Sequence, residues 1–170
     1  MPDNNFPDSL ITDLTDLLGR ENVLTDPYDL DRYSGDALSP TRAFGAEESF
    51  KRLADVVVQP GSTADVSNVL KLANESRTPV IPYGGGTGVM GGTVPALGGI
   101  VLDLKRMNQI LAINPTDMTA QVEAGVVLED LEKSLERQGL MPGHDPYSVP
   151  IATVAGTICT NGVGYRAGTN

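Results

Sequence analysis

No stretch constrains this chain more than Pro82-Tyr83-Gly84-Gly85-Gly86-Thr87-Gly88-Val89-Met90-Gly91-Gly92, which places six of the 19 glycines in eleven positions directly after an apolar run. Glycine enters positive φ without a Cβ penalty and lets another group come close to the backbone. Successive N–H groups in such a loop can converge on one concavity and hold an anion with no lysine or arginine. A flexible linker would carry serine and charge, and would not continue a β-branched and aromatic run. The loop therefore reads as a cradle for a nucleotide phosphate.

Charge sharpens that reading. The formal net charge is −10 and no cluster of Lys or Arg interrupts it, so nucleic acid and anionic lipid are repelled at long range. A nucleic-acid role is excluded, and an anionic ligand must be drawn in by local N–H donors. The 170 residues, 40% of them hydrophobic, suffice for one domain with a substantial core. The amino terminus has no basic segment followed by an apolar one, so no signal peptide is read there. No run reaches the roughly 20 apolar residues of a membrane span. The single cysteine, Cys159, lies in an apolar neighbourhood from Ala155 to Thr160 and reads as a buried, inert thiol. Together these features indicate a cytoplasmic protein.

Periodicity organises the rest. Leu10, Ile11, Leu14, Leu17 and Leu18 form one helical stripe closed by Gly19. From Thr25 to Lys51 turn and cap residues dominate, among them Asp26-Pro27, Gly35-Asp36 and Ser39-Pro40, which predicts an irregular lead-in. Asp55 to Gln59 reads as a strand ended by Pro60-Gly61. Ser62 and Asp65 form a capping box ahead of Val66, Val69, Leu70 and Ala73 at helical spacing. Val80-Ile81 starts a second strand that runs into the glycine loop; strand, helix and strand make a βαβ unit with parallel strands. Ile100 to Leu104 is a third strand, and Ile110–Asn114 and Thr119–Glu123 form a hairpin around Pro115-Thr116-Asp117. Leu128, Leu131 and Leu135 mark a helix ended by Gly139, and Met141 to Asn170 shows no clear element. A chain that finishes on Gly168-Thr169-Asn170 reads as cut short.

Two familiar phosphate motifs fail on this loop. Gly86-Thr87-Gly88-Val89-Met90-Gly91 spells GxGxxG, with Asp103 as an acidic residue further on. That fingerprint must open a helix, whereas Gly92-Thr93-Val94-Pro95-Ala96-Leu97-Gly98-Gly99 cannot propagate one. A P-loop would need Gly-Lys-Ser/Thr, which does not follow. A phosphate loop between two strands, working through backbone amides, remains.

In this order of parts the chain resembles the FAD-binding PCMH-type domain of the vanillyl-alcohol-oxidase superfamily. The nearest branch contains the glycolate oxidase FAD subunit, flavin-dependent D-lactate dehydrogenase, D-2-hydroxyglutarate dehydrogenase and alkyl-dihydroxyacetone-phosphate synthase. Pro82 to Gly88 matches the pyrophosphate loop of that family. Gly99-Ile100-Val101-Leu102-Asp103-Leu104, Met107-Asn108 and Val122-Glu123-Ala124-Gly125-Val126 follow in its order. Asp145-Pro146-Tyr147-Ser148, Thr153-Val154-Ala155-Gly156 and Thr160-Asn161-Gly162 resemble its second flavin-contacting region. The resemblance implies an α+β fold: a βαβ unit with a small parallel sheet, then a mixed or antiparallel sheet with flanking helices, in a truncated domain. It implies a lead-in over 1–50 and the amino-terminal portion of the FAD-binding domain over 51–170.

FAD is the implied cofactor, held by Pro82, Tyr83, Gly84, Gly85, Gly86, Thr87 and Gly88 at the pyrophosphate and by Asp145, Ser148, Thr153, Gly156, Thr160, Asn161 and Gly162 elsewhere. Thr87-Gly88 stands where covalent members carry a histidine, which implies non-covalent FAD. Ala155 replaces the first of two adjacent glycines common in the family, a change tolerated if φ there is negative. His144, the sole histidine, reads as a loop residue rather than a catalyst. The implied activity is hydride transfer from a small 2-hydroxy acid, of the D-lactate or glycolate type, to FAD. Its catalytic residues are expected beyond Asn170, and no metal is implied. The alternative is a non-catalytic flavin-binding module serving a separate catalytic subunit; electron acceptor and oligomeric partner are left open.

Overall fold

Every residue of Val56-Val57-Val58 and of Ile100-Val101-Leu102-Asp103 is buried, as in strands covered on both faces. The computed structural model describes residues 6–38 and 53–165. Its elements are α1 (Asp8–Leu18), β1 (Val23–Leu24), α2 (Pro27–Arg32), β2 (Val56–Val58), α3 (Thr63–Glu75), β3 (Val80–Tyr83), β4 (Ile100–Asp103), β5 (Ile110–Asn114), β6 (Thr119–Val122), α4 (Leu128–Glu136) and α5 (Val154–Cys159), with a 3-10 turn at Arg20–Asn22. The chain divides into two units, Met1–Tyr83 with Gly88–Arg106, and Gly84–Thr87 with Met107–Asn170.

In the first unit the strand order is β1-β2-β4-β3. Strands β2 and β3 are parallel to β4, which lies between them, and β1 is antiparallel to β2. The βαβ unit is therefore present, with a third strand inserted between its two. Side chains alternate across the sheet. Val56, Val58, Ile100 and Leu102 pack with Leu10, Leu14 and Leu18 of α1 and Val69 and Ala73 of α3. Val57 and Val101 face the other way, with Tyr33 and Ala54. This period of two sorts one valine run into two cores.

Local signals act mostly as expected. Gly19 ends α1 at φ +84. Ser62 Oγ accepts the Asp65 N–H at 3.1 Å, while the Asp65 carboxylate takes the N–H of Gly61 at 3.0 Å rather than that of Ser62. Leu70, expected on the buried stripe of α3, is 46% exposed; Val69 and Ala73 fill the face toward the sheet without it. Residues 25–38 are more regular than expected. Asp26 caps α2 by accepting the Tyr28 N–H at 2.9 Å, with Pro27 in the first turn, the usual place for a residue without an N–H. The rest of the lead-in, including Ser39-Pro40, and the terminal Gly168-Thr169-Asn170 lie outside the described residues.

A polar cluster sits at the end of β4. Asp103, 1% exposed, accepts from the Tyr33 hydroxyl at 2.8 Å, from Gln59 Nε2 at 3.1 Å and from the Lys105 backbone N–H at 3.1 Å. Lys105 Nζ donates to the Tyr33 hydroxyl at 3.0 Å. Burial pushes the Tyr33 hydroxyl above the usual tyrosine range, against the opposing pull of Lys105 and with the help of Asp103. Partial burial lowers the Lys105 ammonium, but the Tyr33 hydroxyl and Asp103 outweigh it and the net direction is upward. Both groups thus hold their protons to higher pH in the folded chain than in the unfolded one. The stability they contribute is complete below about pH 10 and is lost as pH rises through their folded values. Thermal midpoints are expected to fall more steeply above that pH in wild type than in Tyr33→Phe; equal slopes would count against the cluster.

The same segment braces residues that flank the glycine loop. The Tyr33 ring meets Tyr83 edge to face at 4.9 Å. Asp36 accepts the Gly91 N–H at 2.9 Å and the Leu38 N–H at 2.9 Å, and Thr93 Oγ1 donates to the Gly35 carbonyl at 3.0 Å.

In the second unit β5 and β6 form the expected hairpin, with a register irregularity between Ile110 and Ala112. Asn114 closes its turn by accepting from Thr116 and Asp117 at 3.0 and 3.2 Å. Helix α4 buries Leu128, Leu131 and Leu135, and Leu131 and Leu135 cluster with Val126. Gly139 follows at φ +71. The carboxyl-terminal stretch, expected to lack regular structure, contains α5. Its weak helix formers are offset by the Thr153 cap, which accepts the Gly156 N–H at 3.2 Å. Cys159, expected to be buried, is exposed on this helix. Apolar sequence neighbours did not bury it, because Ile158 beside it is exposed as well.

Candidate functional site

Residues 84–87 and the stretch around α5 belong to one unit, and their backbones approach closely. A Cβ built on Gly84 would overlap Thr153 Oγ1. One on Gly85 would overlap the Ile151 carbonyl oxygen and lie 2.9 Å from that carbonyl carbon and 3.2 Å from Ala152 Cα. Glycine is needed at Gly85 because its neighbours are backbone and cannot rotate away, whereas the neighbour at Gly84 is a side chain. Gly86 turns the chain at φ +63, the left-handed region that suits glycine. A Cβ on Gly156 would come 2.9 Å from Thr153 Oγ1, so Thr153 lies against both glycines.

The loop leaves its donors free. Among the described residues, the N–H groups of Gly84, Gly85, Gly86 and Thr87 donate to no acceptor, although all four residues are half-buried. Backbone N–H groups that find no partner within the protein are satisfied by water or by a ligand. A run of unpaired donors with no acidic side chain in it matches the needs of a pyrophosphate, so the residues present fit the group that the sequence implies.

At the other end of α5 the remaining expected residues gather. Thr160 caps the helix, and its hydroxyl donates to the Gly156 carbonyl at 2.9 Å. Asn161 follows at φ +48, and the Gly162 N–H returns to the Thr157 carbonyl at 2.9 Å. A Cβ on Gly162 would lie 3.6 Å from His144 Nε2, and one on Gly164 2.7 Å from the Asp145 backbone nitrogen. The Ser148 carbonyl accepts from Ile151 and Ala152 at 2.9 and 2.8 Å, shaping the turn that carries Ile151 to Gly85. Ala155 sits inside α5 and is not among the residues at positive φ, so its methyl brings no backbone strain.

The expected residues Gly84, Gly85, Gly86, Thr87, Asp145, Ser148, Thr153, Gly156, Thr160, Asn161 and Gly162 thus share one unit. Pro82 and Tyr83 end β3, and Gly88 resumes the first unit, where a Cβ on it would lie 3.2 Å from Asp36 Oδ2. Ile151, whose carbonyl backs Gly85, carried no signal in the sequence, since a carbonyl belongs to every residue. His144 was read only as a loop residue, yet its Nε2 is buried without a partner among the described residues. Those residues contain no cluster of metal-ligating side chains and no helix long and apolar enough to cross a membrane.

The profile of a family described as FAD binding domain matches residues 54–170. The chain is 39% identical over 124 residues to glycolate oxidase subunit GlcD of Bacillus subtilis, covering 73% of this chain and 26% of that protein. It is 41% identical over 138 residues to a D-lactate dehydrogenase of Archaeoglobus fulgidus, covering 81% and 29%. Among solved structures, alkyldihydroxyacetonephosphate synthase superposes with a TM-score of 0.83 at 26% identity, over 94% of this chain and 30% of that one. Substrate-bound p-cresol methylhydroxylase does so with a TM-score of 0.79 at 26% identity, over 92% and 30%. The chain therefore has the PCMH-type fold and spans about a quarter of the length of the first curated relatives it matches.

Proposed function

The chain belongs to the FAD binding domain family, and we propose that it is the FAD-binding portion of an oxidoreductase that takes a hydride from a small 2-hydroxy acid, of the D-lactate or glycolate type. Residues 51–170 are the amino-terminal part of the flavin domain in this reading, and 1–50 are its lead-in. When bound, FAD supplies the hydride acceptor; the protein binds and orients it. The N–H groups of Gly84, Gly85, Gly86 and Thr87 hold the pyrophosphate, with Tyr83 and Gly88 as the flanking residues and Pro82 completing the strand end. Each charge-assisted bond is worth about 1.5–3 kcal/mol, enough in combination to offset the unfavourable average field of a net charge of −10. Thr153 and Gly156 shape the wall behind the loop. Asp145, Ser148, Thr160, Asn161 and Gly162 line the rest of the cofactor. No residue of this chain is assigned a catalytic role.

The observation that carries the reading is the set of unpaired donors on a loop backed by the Ile151 carbonyl and Thr153. The names of the similar proteins, glycolate oxidase subunit and D-lactate dehydrogenase, support the 2-hydroxy-acid class. The test uses the full-length protein, purified and supplied with D-lactate, glycolate and D-2-hydroxyglutarate in turn. Bleaching of the flavin absorbance by at least one of them is expected, and none doing so would overturn the substrate class. The cofactor is proposed to be non-covalent. Denaturation should release all of it to the supernatant, whereas yellow colour retained on the precipitated polypeptide would show a covalent bond.

A further inference from the structure

We infer that Asp36 is a positioning residue for the phosphate loop: its carboxylate holds Gly91 and so fixes the exit of residues 84–87, which makes cofactor affinity depend on the lead-in. This rests on the FAD reading above.

Residues 84–87 run between Tyr83 and Gly88, and the short stretch 33–38 touches the chain on both sides of them. At the entry, the Tyr33 ring meets Tyr83 edge to face at 4.9 Å. At the exit, Asp36 Oδ2 accepts the Gly91 N–H at 2.9 Å, and Thr93 Oγ1 donates to the Gly35 carbonyl at 3.0 Å. The same Oδ2 lies 3.2 Å from where a Cβ on Gly88 would sit, and Leu38 Cδ2 lies 3.8 Å from the corresponding point on Gly91. Of the N–H groups at 88–93, that of Gly91 alone has an acceptor among the described residues. The exit of the loop therefore hangs on Asp36, with Thr93 as a second tie.

The segment that makes this grip is itself anchored to the first sheet. The Tyr33 hydroxyl donates to buried Asp103 at 2.8 Å, and Ser34 Oγ accepts the Ala54 N–H at 2.8 Å. Asp36 Oδ1 accepts the Leu38 N–H at 2.9 Å, which orients the carboxylate with Oδ2 on Gly91. A glycine-rich loop has more backbone freedom to lose than any other. Fixing its exit before the ligand arrives removes part of that ordering from the binding step. Charge alone acts in the opposite direction, since a carboxylate beside the site of a doubly negative pyrophosphate repels it. Asp36 favours binding by ordering the loop, against the sign of its own charge.

That opposition gives the test its sign. FAD affinity of the full-length protein is titrated by flavin fluorescence for wild type and variants, well below the thermal midpoint of each apoprotein. Asp36→Ala removes a charged hydrogen bond and should bind FAD about tenfold more weakly. Asp36→Asn keeps one oxygen for two N–H groups, so its affinity should fall between those of Asp36→Ala and wild type. Thr93→Val removes a neutral hydrogen bond from the same exit and should weaken binding by about threefold. Affinity that falls from wild type through Asp36→Asn to Asp36→Ala supports the inference. Unchanged affinity in both Asp36 variants, with only the apoprotein midpoint lowered, is the mark of a merely structural residue and overturns it. Tighter binding in both, the result of losing a repelling charge, overturns it as well. Should Asp36→Ala fail to fold, Asp36→Asn decides by the same sign. Wild-type protein that binds no FAD would instead overturn the underlying reading.

Discussion

Gly85→Val is expected to abolish FAD binding while leaving the first sheet folded. A Cβ at Gly85 would run into the Ile151 carbonyl oxygen, with the carbonyl carbon 2.9 Å away and Ala152 Cα 3.2 Å away. All three atoms are backbone, held by Ile151 and Ala152 N–H bonds to Ser148, so rotation of a side chain gives no relief. The loop must lift off, and the N–H groups of its neighbours move with it. Losing two charge-assisted bonds of about 1.5–3 kcal/mol each removes two to four powers of ten in affinity. The hydrophobic cluster of α1, α3 and the strands around β4 contains none of these atoms. Flavin fluorescence titration of the full-length variant, with circular dichroism of the apoprotein, measures both effects, and wild-type affinity in Gly85→Val would sink the assignment of this loop. Gly84→Ala is a graded companion. Its methyl meets Thr153 Oγ1, a side chain that can be removed, so Thr153→Ala should rescue it in part and should not rescue Gly85→Val.

Asp103→Ala should be the most destabilising polar substitution in the first unit, by about 2–4 kcal/mol, since a buried donor deprived of its acceptor costs about 1–3 kcal/mol. The carboxylate is buried to 1% exposure and accepts from Tyr33, Gln59 and the Lys105 backbone. Its removal leaves the Tyr33 hydroxyl proton without its acceptor and leaves Gln59 Nε2 only its longer bond to that hydroxyl at 3.3 Å, beside a new void, and the ion pair with Lys105 at 3.5 Å goes too. That ion pair contributes little, since the Lys105 side chain is more than half exposed. The loss at the buried donors dominates. Asp103→Asn keeps the shape but faces donors with an amide NH2, and should lose about half as much. Chemical denaturation of the full-length protein, followed by the transition that contains the first sheet, reports the change. A loss of under about 0.5 kcal/mol, typical of an ordinary surface position, would remove Asp103 from its supporting role.

Asp103 also shows how far the sequence reached. The run GxGxxG followed by an acidic residue invited a Rossmann reading, which Gly92 to Gly99 denied. What the acid does instead depends on Tyr33, 70 residues away along the chain, and no local pattern links the two. Long periodic elements were legible because their signal repeats: α1, α3 and α4 by helical stripes, β2 and β4 by branched runs, the hairpin by its turn residues. Elements that lack repetition were not. Strand β1 has two residues and exists through its pairing of Val23 with Val58 and Leu24 with Val57. Helices α2 and α5 have six residues each, too few for a period; Asp26 stood among turn and cap residues in the sequence, while the capping role of Thr153 emerged only in the fold. Leu70 kept the helical spacing yet faces outward, because spacing locates a stripe but not its width.

The glycine loop divides in the same way. The amino-acid sequence alone determined that residues 84–86 carry no side chains and that a strand, not a helix, follows the loop. Those two facts were enough to indicate backbone donors for an anion and to set aside the two familiar phosphate motifs. Only the tertiary structure decided what stands behind the loop and which nitrogen was left over. The Ile151 carbonyl at Gly85 is an atom that every residue possesses, so nothing in the letter I marks it. The unpaired state of His144 Nε2 is a property of everything around it. Contacts made by backbone, and partners that are missing, have no residue type to be read from; they exist only once the chain is folded.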